Sequence, residues 1–256
     1  MSVSVSIENV SKTFGVPGTE FVAIKQADAQ IQPGEFVSIL GPSGCGKSTL
    51  LDMVAGLATP SRGTVSIHGQ PVTGPDERMA MVFQQMSLLP WRTIQANVEF
   101  GLEVRGVGEA QRRRTAREMI DLVGLNGFEE KYPSQLSGGM NQRVAIARAL
   151  ALDPEILLMD EPFGALDEQT RRIMGIELLR IWDKSGKTIV FVTHSISEAI
   201  QLSDRILLMS SRPSTIREII DVPLARPRSI EDLSSETARD IELRVWKVLL
   251  EETGAK

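Results

Sequence analysis

Short apolar runs of strand length recur along the chain and predict its β-structure. The predicted strands are Val3–Ile7, Phe36–Leu40, Val65–Ile67, Met79–Phe83, Ile156–Met159, Thr188–Val192 and Ile206–Met209. Three of them (Phe36–Leu40, Ile156–Met159 and Thr188–Val192) are almost continuously hydrophobic, which is typical of strands buried on both faces of a parallel sheet covered by helices. The half-alternating strands near the start of the chain indicate an antiparallel flank.

The segment between about residues 90 and 153 has helical character instead. Apolar residues recur at helical spacing over Glu109–Val123, and a second helix is predicted over Asn141–Leu150. Pro133 and the Ser-Gly-Gly turn at residues 137–139 separate the two helices. This pattern predicts a helical insertion in an α/β chain.

Beyond Ser210 the chain is punctuated by prolines and ends in an amphipathic stretch, Glu236–Glu252. We therefore expect a single domain over residues 1–256. Its core would comprise about residues 1–89 and 154–210, its helical subdomain about residues 90–153, and its C-terminal extension about residues 211–256.

Composition and charge argue against several classes of protein. The chain has 28 Lys and Arg against 33 Asp and Glu, a formal charge of −5. This argues against a nucleic-acid partner and against docking on anionic lipid by charge alone. No apolar stretch approaches the roughly eighteen residues that span a bilayer. The single cysteine, Cys45, suits a reducing cytoplasm, and with only two histidines we expect no metal cluster.

The pattern G-x-x-x-x-G-K-[ST] follows the strand Phe36–Leu40 and precedes an apolar helix predicted over Leu50–Leu57, as a phosphate-binding loop requires. Glycines let the backbone point successive N–H groups at phosphate oxygens, and the helix N-terminus adds partial positive charge. Lys47 supplies a cation to the phosphates, and the Ser48 hydroxyl can ligate Mg²⁺. The predicted ATP-binding loop comprises Gly41, Pro42, Ser43, Gly44, Cys45, Gly46, Lys47, Ser48 and Thr49.

A second piece of the site is the apolar run Ile156–Met159 followed by Asp160 and Glu161. Ligands of open α/β sheets bind at the carboxyl ends of the strands, which is where this run places its two carboxylates. Asp160 suits a water-mediated hold on Mg²⁺, and Glu161 suits polarisation of the attacking water.

The stretch LSGGMNQRVAIARAL, residues 136–150, indicates more closely which class of nucleotide-binding protein this is. Together with the phosphate loop, ILLMDEP, GALD and an isolated His194, it resembles the nucleotide-binding subunit of ATP-binding cassette (ABC) transporters over about residues 3–209. The resemblance implies a P-loop NTPase (RecA-like) α/β fold with a mainly parallel sheet, an antiparallel flank and an inserted α-helical subdomain. It also implies ATP and Mg²⁺ as ligands.

The resemblance also assigns roles to individual residues. Phe14, after the first strand, is similar to the aromatic residue that stacks on adenine. Gln84, at the end of the MAMVF strand, is similar to the glutamine that contacts Mg²⁺ and water and senses the transporter. Asp167 is similar to the aspartate that communicates across the dimer. His194 is similar to the histidine that holds the γ-phosphate and orients Glu161.

Ser137, Gly138 and Gly139 resemble the signature turn that binds the γ-phosphate of ATP held by a second copy of the chain. A Ser-Gly-Gly turn opening a helix is itself a second anion site. One nucleotide does not need two such sites in one chain, but two chains arranged head to tail would complete each other. We therefore expect an ATP-dependent homodimer.

Two positions depart from the commonest family pattern. Met140 replaces the usual glutamine after LSGG, and Gly164 stands where serine usually precedes ALD. Met140 can be accommodated if contact there is mainly through the backbone. Gly164 removes a hydroxyl near the dimer seam, so we assign it no polar role.

The segment Phe83–Leu102, with LLPW followed by T-I-x-x-N-V, resembles the subgroup that serves nitrate, sulfonate, taurine and related importers. In that family this segment helps receive a helix of the membrane subunit, although burial of Trp91 within the chain is an equal alternative. The implied partners are transmembrane permease subunits and, indirectly, a solute-binding protein. The implied location is the cytoplasmic face of the cell membrane, as a peripheral protein.

Other classes fit the sequence less well. A DNA-repair or chromosome-type ATPase should carry a long heptad insertion before LSGG, and none is present. A translation-associated protein should carry two tandem cassettes, and a GTPase needs an N-K-x-D element; the chain has neither. An ATPase that drives a lipid- or lipoprotein-moving membrane complex stays open as the alternative to an importer.

Overall fold

The computed structural model describes residues 4–16, 18–164, 166–228 and 230–253. The backbone divides into two compact units, one of Met1–Asp76 with Thr188–Lys256 and the other of Glu77–Lys187. Val3 of the first predicted strand and Ala165 of the GALD motif lie outside the described residues.

Ten strands are defined in the described residues. They are β1 (Val5–Phe14), β2 (Phe21–Ile31), β3 (Phe36–Leu40), β4 (Arg62–Ile67), β5 (Gln70–Pro71), β6 (Met79–Val82), β7 (Ile156–Asp160), β8 (Thr188–Val192), β9 (Arg205–Met209) and β10 (Ser214–Asp221).

The helices are α1 (Lys47–Val54), α2 (Ile94–Val104), α3 (Glu109–Leu122), α4 (Gly138–Leu150), α5 (Glu168–Ser185), α6 (Ile196–Leu202), α7 (Ile230–Leu233) and α8 (Glu236–Thr253), with a short 3₁₀ turn at Pro133–Gln135.

The first unit is built on a sheet with the strand order β5-β4-β1-β2-β10-β9-β3-β8. β3 pairs in parallel with both β8 and β9, whereas β1 pairs antiparallel with β2 and β4. The predicted antiparallel flank is thus confirmed. Every residue of β3 and of β8 is buried, as expected for continuously apolar central strands.

The C-terminal helix α8 belongs to the core of this first unit. Its buried residues Ala238, Ile241 and Val245 join a cluster that includes Leu40, the last residue of β3, and residues of α6 and β9. The amphipathic stretch predicted at the end of the chain is therefore a helix whose apolar side contributes to the core next to the phosphate loop.

In the second unit, β6 and β7 form a parallel pair, with Met79 opposite Ile156 and Val82 opposite Met159. Helices α2, α3 and α4 pack on one another, and α4 also packs on β6. This arrangement carries the signature turn at the start of α4.

The structure corrects several predicted boundaries. β1 continues to Phe14, so Phe14 is the last residue of the first strand and does not follow it. β6 ends at Val82, which places Gln84 two residues beyond the strand. α1 begins at Lys47, because the glycine-rich loop passes directly into the helix, and it ends at Val54.

Candidate nucleotide-binding site

The phosphate loop joins the buried strand β3 to α1, and its glycines are there for two physical reasons. Gly46 has φ of 108°, a conformation that an L side chain rarely adopts. Gly41 is tightly surrounded, since a Cβ on it would lie 2.9 Å from the Met209 carbonyl oxygen and 3.0 Å from Cys45 Sγ. Side chains at these positions would therefore deform the loop.

Lys47 is folded back over this loop. Its Nζ donates to the carbonyl oxygens of Gly41 and Pro42, at 3.0 Å each, and the residue is only 5% exposed. The ammonium group is thus held at the loop before any anion arrives, and a phosphate oxygen can replace a carbonyl as its acceptor. Ser48, in the first turn of α1, is exposed.

Cys45 is buried inside the loop and forms no disulfide. Burial raises the pKa of its thiol, while the nearby charge of Lys47 acts in the opposite direction. The thiol is therefore kept neutral, which agrees with a space-filling role and not with a reactive one.

Phe14, the last residue of β1, presents an aromatic ring at the surface of the first unit. The ring is 38% exposed, and it stacks on Phe21 with 5.6 Å between the ring centroids and 26° between the planes. Lys12 Nζ lies 5.0 Å from the Phe14 centroid. The sequence analysis missed Phe21, because the half-polar strand β2 that it begins was not predicted.

His194 follows β8 and is exposed, and its neighbours in sequence are rigidly held. The Thr193 hydroxyl donates to the buried Glu198 carboxylate and accepts from Ser195 N–H at 2.9 Å. Ser195 caps α6 by accepting from Glu198 N–H at 3.3 Å. The backbone on both sides of His194 is therefore fixed, by residues that motif matching did not single out.

In the second unit, Asp160 ends the buried strand β7 and is half-buried. The next residue, Glu161, has φ of 42°, the left-handed region that non-glycine residues seldom occupy. A Cβ built on Gly164 would lie 3.7 Å from Gln84 Nε2 and 3.8 Å from Glu161 Oε2. The Gln84 amide and the Glu161 carboxylate therefore both border the space next to Gly164.

The signature turn opens the thirteen-residue helix α4. Ser137 is its N-cap, and the Ser137 hydroxyl accepts from Met140 N–H at 3.3 Å. Ser137 and Gly138 are exposed, whereas Gly139 is half-buried and a Cβ on it would lie 3.1 Å from Thr170 Cγ2. The turn thus presents a helix N-terminus at the surface.

Asp167 caps α5 in the same way, since its carboxylate accepts from Thr170 N–H at 3.0 Å. Hydrogen bonds from Thr170 hold the pKa of Asp167 below its ordinary value. The residue is exposed and ionised, as the start of a helix favours.

The LLPW segment forms an ordered surface loop before α2. Asn97, which is fully buried, accepts from Leu89 N–H at 2.8 Å and donates to the carbonyl oxygens of Leu89, Arg92 and Thr93. These hydrogen bonds anchor the loop, and Trp91, which lies on it, is 72% exposed. Burial of Trp91 within the chain, one of the two alternatives, is therefore wrong.

The residues predicted to hold Mg²⁺ offer a hydroxyl (Ser48), a carboxylate (Asp160) and an amide oxygen (Gln84). Oxygen donors of this kind fit Mg²⁺, which retains waters and takes substrate phosphates as further ligands. Among the described residues no group of three or more His, Cys, Asp or Glu could hold a metal ion.

A buried strand, a glycine-rich phosphate loop and a following helix define a P-loop NTPase. A family model described as "ABC transporter" matches residues 24–164. The chain belongs to this family, and it is an ABC ATPase.

Among the described residues, no helix combines the length and the apolar character that a membrane span needs.

Characterised and uncharacterised relatives agree with this assignment. The chain is 51% identical to an uncharacterized ABC transporter ATP-binding protein of Methanocaldococcus jannaschii, over 89% of this chain and 85% of that protein. It is 48% identical to the nitrate import ATP-binding protein of a Synechocystis strain, over 85% and 82% of the two chains. It is 44% identical to the taurine import ATP-binding protein of Roseobacter denitrificans, over 86% and 82%.

The fold is also that of solved cassettes. A dimeric post-hydrolysis state of an ATP-binding cassette bound to ADP and Pi superposes with a TM-score of 0.74 at 37% identity, covering 85% of this chain and 98% of that one. A second dimeric ABC transporter cassette gives the same TM-score at 36% identity. The P-loop NTPase core and the mixed α/β class predicted from the sequence are confirmed.

Proposed function

We propose that this chain is the ATP-hydrolysing subunit of an importer, and that it energises uptake of a small solute through a separate permease. The solute would be nitrate, a sulfonate, taurine or a related compound, delivered by a solute-binding protein. The exposed Trp91 loop carries this proposal, because a large apolar side chain exposed on an anchored loop is typical of a partner contact. Similarity to nitrate and taurine import ATP-binding proteins supports the solute class.

Each predicted site residue has a role in the proposed hydrolysis. Lys47 and the loop N–H groups hold the phosphates, and Phe14 stacks on adenine. Glu161 polarises a water whose oxygen attacks the γ-phosphorus, while the bond from that phosphorus to the β–γ bridging oxygen breaks. His194 holds the γ-phosphate. The products are ADP and inorganic phosphate.

Ser48, Asp160 and Gln84 would hold Mg²⁺, and the ion would supply positive charge against the charge that develops on the phosphate oxygens. These residues thus orient the triphosphate for in-line attack. The left-handed backbone at Glu161 supports its catalytic role, since strain of this kind concentrates at functional sites.

A second copy of the chain would complete each site. In this proposal Ser137, Gly138 and Gly139 of one copy bind the γ-phosphate of ATP held by the other, and Asp167 communicates across the seam. The exposure of the α4 N-terminus supports such a contact. The chain would act at the cytoplasmic face of the membrane as a peripheral subunit, with no nucleic-acid partner.

The Trp91 loop offers a direct test. We expect Trp91→Ala to reduce capture of the chain by membranes that contain its permease about tenfold or more, the effect of losing one aromatic anchor of an interface. Trp246→Ala is the matched control, because Trp246 is also exposed (48%) but lies on α8. Capture that is equally strong for wild type and Trp91→Ala contradicts the proposed surface. A captured complex that responds to lipid and not to a solute-binding protein contradicts the importer assignment.

A further inference from the structure

Arg212 lies just after β9 and contacts two parts of the proposed nucleotide site at once. Its Nε donates to the Gly44 carbonyl oxygen at 3.1 Å, and its Nη2 donates to the same oxygen. Its Cζ also lies 5.3 Å from the centroid of the Phe21 ring. No motif of the nucleotide site includes this arginine.

Phe21 is in turn stacked on Phe14, the ring proposed to receive adenine. A continuous row therefore runs from Phe14 through Phe21 and Arg212 to Gly44 of the phosphate loop. One end of this row is the ring proposed to receive the base, and the other end is the loop proposed to hold the triphosphate.

The segment that carries Arg212 is fixed on both sides. Before it, Ser211 N–H donates to the Glu252 carboxylate and the Ser211 hydroxyl donates to the Glu252 carbonyl oxygen, both at 2.9 Å. After it, the Ser214 hydroxyl donates to the Ala23 carbonyl oxygen at 3.0 Å. Glu252 lies in the last turn of α8, so the C-terminal helix takes part in holding Arg212.

The loop itself is braced by the same strands. A Cβ on Gly46 would lie 3.2 Å from Ile24 Cγ1 and 3.7 Å from Ser214 Oγ. The phosphate loop, the strand that begins at Phe21 and the segment that carries Arg212 are thus in direct contact within one unit.

Arginine is the side chain that suits this position. A planar guanidinium can lie over an aromatic ring while two of its N–H groups point in its own plane at one carbonyl oxygen, whereas an ammonium group has no such planar fork. An exposed arginine usually samples many rotamers, and ordering one is costly unless several contacts offset the lost entropy. Here the ring and the loop carbonyl supply those contacts before nucleotide binds.

We propose that Arg212 is a nucleotide-positioning residue that connects the base-facing ring pair Phe14–Phe21 to the phosphate loop. The part of the site proposed for the base is then fixed relative to the part proposed for the triphosphate. The C-terminal helix α8 contributes through Glu252, which holds the backbone next to Arg212. This inference rests on the proposed nucleotide roles of Phe14 and the loop.

The test compares two ligands, ATP and tripolyphosphate, and measures the Kd of each. We expect Arg212→Ala to weaken ATP binding about tenfold, because ordering the ring pair and the loop, which Arg212 does in the wild type, must then be offset by part of the binding free energy. Tripolyphosphate has no base, so its Kd should change several-fold less. Arg212→Lys keeps the charge but not the planar fork, and it should stay clearly weakened for ATP. Arg239→Ala, an exposed arginine of α8, is the matched control and should bind both ligands as wild type does.

Three results overturn the inference: unchanged ATP affinity in Arg212→Ala, an equal loss for ATP and tripolyphosphate, or full recovery in Arg212→Lys. An equal loss would mean that Arg212 only supports the loop, and full recovery would mean that it supplies charge alone. Lys47→Ala separates this inference from the proposed function. If Lys47→Ala binds ATP as wild type does, the proposed site is wrong; if Lys47→Ala loses ATP while Arg212→Ala does not, only the Arg212 inference is wrong.

Discussion

At the scale of single residues, Glu161, the proposed catalytic carboxylate, has a left-handed backbone. Its φ of 42° places a non-glycine residue in the left-handed region immediately before Pro162. Such a conformation costs on the order of 1–3 kcal/mol and persists only where the surrounding structure imposes it. Here it follows the last residue of a buried strand, so the carboxylate is presented at a strand end.

We expect Glu161→Gln to bind ATP but to lose turnover by about 100-fold or more, because the amide cannot accept a proton from the attacking water. The variant should accumulate as an ATP-bound dimer, seen as a doubled mass by light scattering. A variant that hydrolyses ATP at the wild-type rate would show that another residue polarises the water.

Gly164 shows what sequence comparison alone leaves open at this scale. The missing serine hydroxyl was recognised as a departure from the family pattern, but its surroundings could not be derived from the motif. In the structure the position borders both Gln84 Nε2 and Glu161 Oε2. A serine side chain at this position would therefore lie next to two proposed site residues of the same chain, as well as near the proposed dimer seam.

At the scale of elements, the strands buried on both faces were predicted most completely, the half-exposed β1 and β4 only in part, and β2 and β10 not at all. β3, β7 and β8 are continuously apolar and were predicted within one residue of their observed bounds. β2 and β10 mix buried with exposed positions, and polar residues interrupt their apolar pattern. Their contribution to stability comes from pairing with neighbouring strands, which local sequence does not reveal.

The helical elements divide in the same way. α3 was predicted from its spacing of apolar residues, and the segment of α8 was predicted as an amphipathic stretch. α4 was also predicted, although it begins three residues earlier than expected because Ser137 caps it. α5 was not predicted, since eighteen residues with only a few buried positions give a weak periodic signal.

α6 is a short helix whose start depends on its cap. We expect Ser195→Ala to lower the free energy of unfolding by about 1 kcal/mol, the usual cost of removing an N-cap side chain. It should also lower the hydrolysis rate, because the cap fixes the backbone next to His194. Denaturant titration measures the first effect, with the exposed Ser134→Ala as control.

If Ser195→Ala and Ser134→Ala unfold at the same denaturant concentration, the cap contributes nothing to stability. If the cap is lost but the hydrolysis rate is unchanged, the position of His194 does not depend on α6.

At the scale of the whole molecule, the chain carries two helix starts that we propose bind anions, one after the phosphate loop and one after Ser137. Motif order and spacing were sufficient to predict both. The Arg212 row was not predictable, because it brings together residues from the beginning, the phosphate loop and the end of the chain. Contacts between residues so far apart in sequence arise from the tertiary fold.

The central claim is that one chain holds ATP and a second copy completes the site. The measurement that tests it most directly is ATPase turnover per chain over a wide range of chain concentrations. We predict that turnover per chain rises with concentration and then saturates, while nucleotide binding by single chains does not depend on concentration. Ser137→Arg, which places bulk at the proposed seam, should bind ATP but stay inactive throughout. Turnover per chain that is constant over the whole range, or full activity in Ser137→Arg, would contradict the account.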